Sequence, residues 1–228
     1  AEARIMNFNL DNCQLVSSTN AGQITNCASK NASKPLIGAA NSGNIAYCSV
    51  IGTSLSQCGI VPTNTGVIQD CKVTGSVNGS VTSNAANVGG IAATSSGSIQ
   101  NCEYDGNIEE VGSNGTVGGI VGSASGSLSR CKTSGSIQSN STRESVGGIV
   151  GDYSGKSLAD CQSDMKVDAL YTTNVGGIAG HLSKKGSLSS CKNTGYVSSN
   201  KNVGGIVGVL DGDTSLRNAI NTGKVDGW

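Results

Sequence analysis

The chain has 228 residues, zero formal net charge, 13% charged side chains, 34 glycines and only 2 prolines. Only 3% of the residues are aromatic, so it lacks the large side chains that supply much of the buried area of an ordinary globular core. No basic patch marks a nucleic-acid partner, and the longest run of apolar residues and glycine, Val203–Leu210, falls far short of the roughly 20 residues that a membrane span takes.

The chain opens Ala1-Glu2-Ala3 without a signal peptide, which reads as a processed start, with both ends cut from something longer. In residues 1–87 an aliphatic-x-x-Cys unit recurs at Leu10–Cys13, Ile24–Cys27, Ile45–Cys48, Leu55–Cys58 and Ile68–Cys71. The cysteines are 14, 21, 10 and 13 residues apart, so these units cannot each stand for one full structural repeat.

From residue 88 the pattern becomes regular. Val-Gly-Gly-Ile begins at Val88, Val117, Val146, Val175 and Val203, at intervals of 29, 29, 29 and 28 residues. Each copy is followed by an aliphatic residue three before a cysteine: Ile99–Cys102, Leu128–Cys131, Leu158–Cys161 and Leu188–Cys191. The fifth copy reads Leu216–Ala219. A third segment follows as Gly106–Ile108, Gly135–Ile137, Met165–Val167, Gly195–Val197 and Gly223–Val225.

Short Val- and Ile-bearing segments between Gly, Ser, Asn and Thr read as strands, and a fixed period of this length reads as a solenoid. The sequence therefore predicts an all-β, right-handed parallel β-helix with three short strands per coil of about 29 residues. One solenoid spans 1–228, with irregular coils over 1–87 and regular ones over 88–228. Val88, Val117, Val146, Val175 and Val203 should form one inward ladder, and Ile91, Ile120, Ile149, Ile178 and Ile206 a second, about 4.8 Å apart from coil to coil. The paired glycines between them suit tight corners, where positive φ or close backbone approach excludes a Cβ.

Val-Gly-Gly-Ile-Val-Gly, then Gly-Ser-Leu-x-x-Cys, then Gly-x-Val resembles the GLUG-motif repeats of large bacterial surface and secreted proteins. These include adhesins and the non-catalytic regions of immunoglobulin A-cleaving metallopeptidases. The resemblance covers residues 88–225 well and 10–87 loosely. It implies a scaffold at the cell surface or outside the cell. The metallopeptidase His-Glu-x-x-His motif does not occur in this chain.

The nine cysteines share one local context, which suggests an inward column of free thiols. Parallel neighbours about 4.8 Å apart lie beyond the usual disulfide Cβ range of about 3.5–4.5 Å, although the irregular first half is where a bridge could form. His181, the only histidine, sits one coil after Asp152, and the two should stack as an exposed ion pair. Asp211 and Asp213 lack both EF-hand and β-roll calcium spacing and read as a solvated turn. Glu109-Glu110 is a loop pair without a recognisable partner. Asn31, Asn78, Asn114 and Asn140 begin Asn-x-Ser/Thr sequons that read as polar loops.

No residue set is assigned as catalytic, cofactor-binding or metal-ligating. The loops before successive Val-Gly-Gly-Ile copies shrink through 10, 8, 8, 7 and 5 residues, while the spans after its isoleucine grow through 8, 8, 9, 10 and 10. The growing edge carries Asp152, Tyr153, Lys156, His181, Leu182, Lys184, Lys185, Leu210 and Asp211. A scaffold that varies along one edge uses that edge or tolerates drift there. The reading is a non-enzymatic segment of a bacterial surface or secreted protein, presenting loops to a host or matrix protein or glycan. The rivals are a carbohydrate-active β-helix, which needs clustered carboxylates in a groove, and a purely structural stalk.

Overall fold

A computed structural model describes residues 3–78, 87–110, 114–139, 142 and 144–227. It is a parallel β-solenoid with no α-helix among the described residues. Four parallel sheets run along it. Sheet I stacks nine strands from Arg4–Met6 to Ser215–Arg217, and sheet II stacks eleven from Asn9–Asp11 to Val225–Gly227. Sheet III holds five, from Val88–Gly89 to Asn202–Gly204, and sheet IV eight, from Thr19–Asn20 to Val207–Leu210.

A regular coil visits all four sheets. Val88–Gly89 lies in sheet III, Ala92–Ser95 in sheet IV, Ser98–Gln100 in sheet I and Glu103–Glu110 in sheet II. The three expected segments thus resolve into four, because the second glycine of Val-Gly-Gly-Ile breaks that segment across a corner. Both proposed ladders form, with their last members Val203 and Ile206 only partly buried. Val88, Val117, Val146, Val175 and Val203 are direct register partners, and Ile91, Ile120, Ile149 and Ile178 are fully buried.

Register also phases the first half. Ile5, Ile24, Ile45, Ile68, Ile99, Leu128, Leu158, Leu188 and Leu216 form one column in sheet I. Successive coils are therefore 19, 21, 23, 31, 29, 30, 30 and 28 residues long. The early coils are short because sheet III begins only at Val88–Gly89. In the earlier coil the chain passes from Ser49–Ser56 almost directly to Gly59 and Ile60, whose amides bond to Gly90 and Ile91 of the next coil.

Two cysteines leave the expected column for this reason. Leu10 pairs with Ser29, and Leu55 with Val77, both in sheet II. Cys13 is exposed, and Cys58 is buried one residue ahead of Gly59. The other seven, Cys27, Cys48, Cys71, Cys102, Cys131, Cys161 and Cys191, line the interior at no more than 2% exposure. All nine thiols are free. Each column thiol donates to the carbonyl two residues earlier, at 3.2–3.4 Å. The thiol is thus a small apolar filler with one weak donor for a corner carbonyl.

That corner is left-handed in every coil. Asn7, Asn26, Tyr47, Asp70, Asn101, Arg130, Asp160, Ser190 and Asn218 all have φ between 50 and 63°. Six of the nine are Asn or Asp, the residues that adopt this conformation most readily after glycine. The Val-Gly-Gly glycines, by contrast, are not in the left-handed region, since the described positive-φ glycines are Gly75, Gly115 and Gly135. Close approach is what excludes a Cβ there: one on Gly90 would overlap both the Tyr104 ring and the Gly119 carbonyl oxygen.

Candidate functional site: the His181 edge

In sheet IV the strands Val150–Tyr153, Ala179–Leu182 and Val207–Leu210 stack in register, pairing Asp152 with His181 and His181 with Val209. Alternation along each strand turns Asp152 and His181 outward, while Tyr153 and Leu182 point into the core at 0% exposure. These two therefore belong to the interior and not to the variable surface. The Tyr153 hydroxyl donates to the Gly126 carbonyl at 3.0 Å and accepts from the Ser157 amide at 2.9 Å.

The expected Asp152–His181 pair is present, with His181 Nδ1 2.9 Å from Asp152 Oδ1. That oxygen is itself buried, and the imidazole is what it meets. The other ring nitrogen, Nε2, lies 3.1 Å from Asp211 Oδ2. Asp211 is carried in by the next coil, where its amide donates to the Leu182 carbonyl at 3.0 Å and its own carbonyl accepts from the Thr214 hydroxyl at 2.7 Å. The sequence reading assigned Asp211 to a solvated turn; the turn is real, but it delivers a carboxylate to the histidine. Both are close nitrogen–oxygen approaches, and Asp152 Oδ1 accepts no hydrogen bond despite its burial.

A cavity of about 450 Å³ opens here. One wall is Asp152, His181, Ser183, Lys184 and Asp211, and the other is Glu144, Ser145, Thr173 and Asn174. The second wall comes from the ends of the loops that precede Val-Gly-Gly-Ile. There Asn174 pairs in register with Ser145 and with Asn202, whose side-chain Nδ2 donates to Asn174 Oδ1 at 3.1 Å. The shrinking loops and the growing spans therefore meet at one concave site. Sequence reasoning placed Asp152, His181, Lys184 and Asp211 on a single edge but missed Glu144, Thr173 and Asn174. Their one signal is position, immediately before a Val-Gly-Gly-Ile copy.

The remaining candidates are scattered. Glu109 lies in a sheet II strand, paired with Asn78 and Gln138. Asn31 is exposed at a left-handed position with its amide on Asp11 Oδ1 at 2.8 Å, and Asn114 has φ 72°. Asn140 lies outside the described residues. Among the described residues, no three His, Cys, Asp or Glu side chains are arranged to hold a metal ion, and no helix is long and apolar enough to cross a membrane.

No family model and no curated protein matches the chain. Among solved structures, the crystal structure of "a putative immunoglobulin A1 protease from Bacteroides ovatus" superposes with a TM-score of 0.65 at 20% identity, covering 99% of this chain and 78% of that one. At that identity, what the two share is the β-solenoid fold.

Proposed function

We propose that this chain is a non-enzymatic binding segment of a larger bacterial surface or secreted protein, and that it presents the His181 edge to a host or matrix ligand. The observation that carries this reading is the convergence of two variable edges on one cavity, while the coil beneath keeps its register. Variation confined to loops over a rigid scaffold is how binding surfaces are commonly built. The GLUG-type repeat pattern supports a surface or secreted setting, and the likeness to the Bacteroides ovatus protein supports the β-solenoid scaffold.

The geometry also weighs against a serine-type hydrolase. A histidine that activates a nucleophile needs one nitrogen facing it and the other held by an acid. Here both nitrogens face carboxylates, so none is left to take a proton from a serine.

The test is a glycan array and a host-protein pull-down, run with the parent chain, His181→Ala and Asp211→Asn. A ligand that is held by the parent and released by both variants, with unchanged circular dichroism, supports the reading. Turnover of an acidic polysaccharide that a single carboxylate substitution abolishes would overturn it in favour of the carbohydrate-active class.

A further inference from the structure

The left-handed corner between sheets I and II holds one aromatic residue among its nine. Asn7 and Asn26 precede Tyr47 in that row and Asp70 follows it, all at φ of 53–63°. A large aromatic in this conformation is a conspicuous outlier, and such outliers concentrate at functional sites. Tyr47 is also 59% exposed, so core packing does not account for it.

The ring stands beside a cavity of about 260 Å³ lined by Asn7, Asn9, Asn26, Tyr47 and Ser49, with Cys27 and Ala28 beneath. No charged side chain lines it. Asn26 Nδ2 donates to Asn7 Oδ1 at 2.7 Å, which fixes the orientation of both amides. The Asn26 carbonyl oxygen and the Asn7 amino group then complement the Asn9 amide and the Ser49 hydroxyl as a mixed set of acceptors and donors.

From this geometry we propose that the Tyr47 pocket is a binding site for a neutral saccharide, taking one pyranose ring. Sugar hydroxyls both donate and accept, which is what a ring of amides and a hydroxyl matches. The C–H face of a pyranose is apolar and lies flat on an aromatic ring with a polar tip. An anion would find no cation there and a cation no carboxylate. The volume sits just below the roughly 300 Å³ at which small-molecule pockets begin, which suits a single ring. The site lies at the opposite end of the solenoid from His181 and stands independently of the function proposed for that edge.

The experiment uses the full chain and a panel of neutral oligosaccharides built from glucose, galactose, mannose and N-acetylglucosamine, read by saturation-transfer NMR and titration calorimetry. Tyr47→Asn removes the ring yet installs the residue that occupies the same corner in the coil before, so the fold is kept and the melting temperature holds or rises. At least one saccharide should bind the parent, and Tyr47→Asn should weaken it by about tenfold or more. Tyr47→Phe should retain most of the affinity. The proposal is overturned if no neutral saccharide binds, if Tyr47→Asn binds as well as the parent, or if only charged sugars or peptides bind in a Tyr47-dependent way.

Discussion

Asn41 donates from Nδ2 to Asn64 Oδ1 at 2.8 Å, from one coil to the next, with both side chains fully buried. The column starts at Asn20, whose Nδ2 reaches Asn41 Oδ1 at 2.8 Å, and ends where Asn64 reaches the Ser95 hydroxyl at 3.1 Å. Each of these asparagines also caps the carbonyl two residues ahead, so the amide closes its own turn as well as the stack. Beyond Ser95 the same column becomes Ala124, Tyr153 and Leu182 and is packed by apolar contact.

Asn41→Ala should therefore be among the most damaging small changes in the first half. It leaves the Asn64 oxygen without its buried donor, and it takes one partner each from the Asn20 amide and the Gly43 carbonyl, which keep the Gly22 carbonyl and the Val67 amide. Each unsatisfied buried group costs about 1–3 kcal/mol, and a total of about 2–4 kcal/mol is expected in urea unfolding. A loss below about 0.5 kcal/mol would mean that water reaches the column.

The thiol column leads to a count. Cys13 is exposed and the other eight cysteines are buried. A thiol reagent should modify one group in the native protein and all nine after denaturation without reductant. Reductant should leave the melting temperature unchanged. Cys131→Ala should cost about 1–2 kcal/mol as a small buried truncation, whereas Cys131→Asp buries an unpaired charge and should prevent folding. A denatured, unreduced chain with almost no reactive thiol would contradict the free column.

The solenoid and its interior ladders were legible because identical residues recur at a fixed interval, and stacking turns that interval directly into contact. Val88 and Val117 illustrate this, since sequence period and register partner coincide. The first half was not legible, because a coil of 19–23 residues without sheet III allows an aliphatic-x-x-Cys unit to recur by chance off the column, as Leu55–Cys58 does. The Asp152–His181 contact followed from counting within the repeat. Asp211 escaped because it lies two residues beyond Val209, the register partner of His181, and reaches back over the coil edge.

Stability should fall at alkaline pH. Burial pushes the Cys58 thiol well above its ordinary value of 9.0, so the folded state holds a proton that the unfolded chain gives up. The stabilisation is fully present below the unfolded value and is lost as pH rises towards the folded one, at about 1.4 kcal/mol per pH unit for each such group. The thiols of Cys48, raised first by its neighbour Cys71, and of Cys71, raised first by Cys102, add to the same slope. Melting temperatures recorded from pH 7 to 10.5 should decline above about pH 9, and Cys58→Ala should make the decline shallower. An unchanged slope in that variant would remove Cys58 from the account.

The glycines of Val-Gly-Gly-Ile offer a test in which two effects have opposite sign. Gly90 does not have a left-handed φ, so Gly90→Ala should gain about 0.4–1 kcal/mol by restricting the unfolded chain. Against this, a β-carbon there would overlap the Tyr104 ring and the Gly119 carbonyl oxygen of the next coil. Overpacking of a dense interior costs about 1–3 kcal/mol, and the backbone oxygen cannot move without disturbing the hydrogen bond that Gly90 N makes to it at 3.1 Å. The clash wins, and a net loss of about 1–3 kcal/mol is expected. Pairing the change with Tyr104→Val, which installs the residue that Val73 supplies one coil earlier, does not clear the site, since a β-carbon on Gly59 would overlap Val73 and the carbonyl overlap remains; the double variant should remain destabilised. Gly212 is the control: its φ is not left-handed and a β-carbon would meet nothing within 4 Å. Gly212→Ala should be neutral or stabilising in the same urea titration. If Gly90→Ala proved as benign as Gly212→Ala, close approach between coils would not be the reason for the glycine pair.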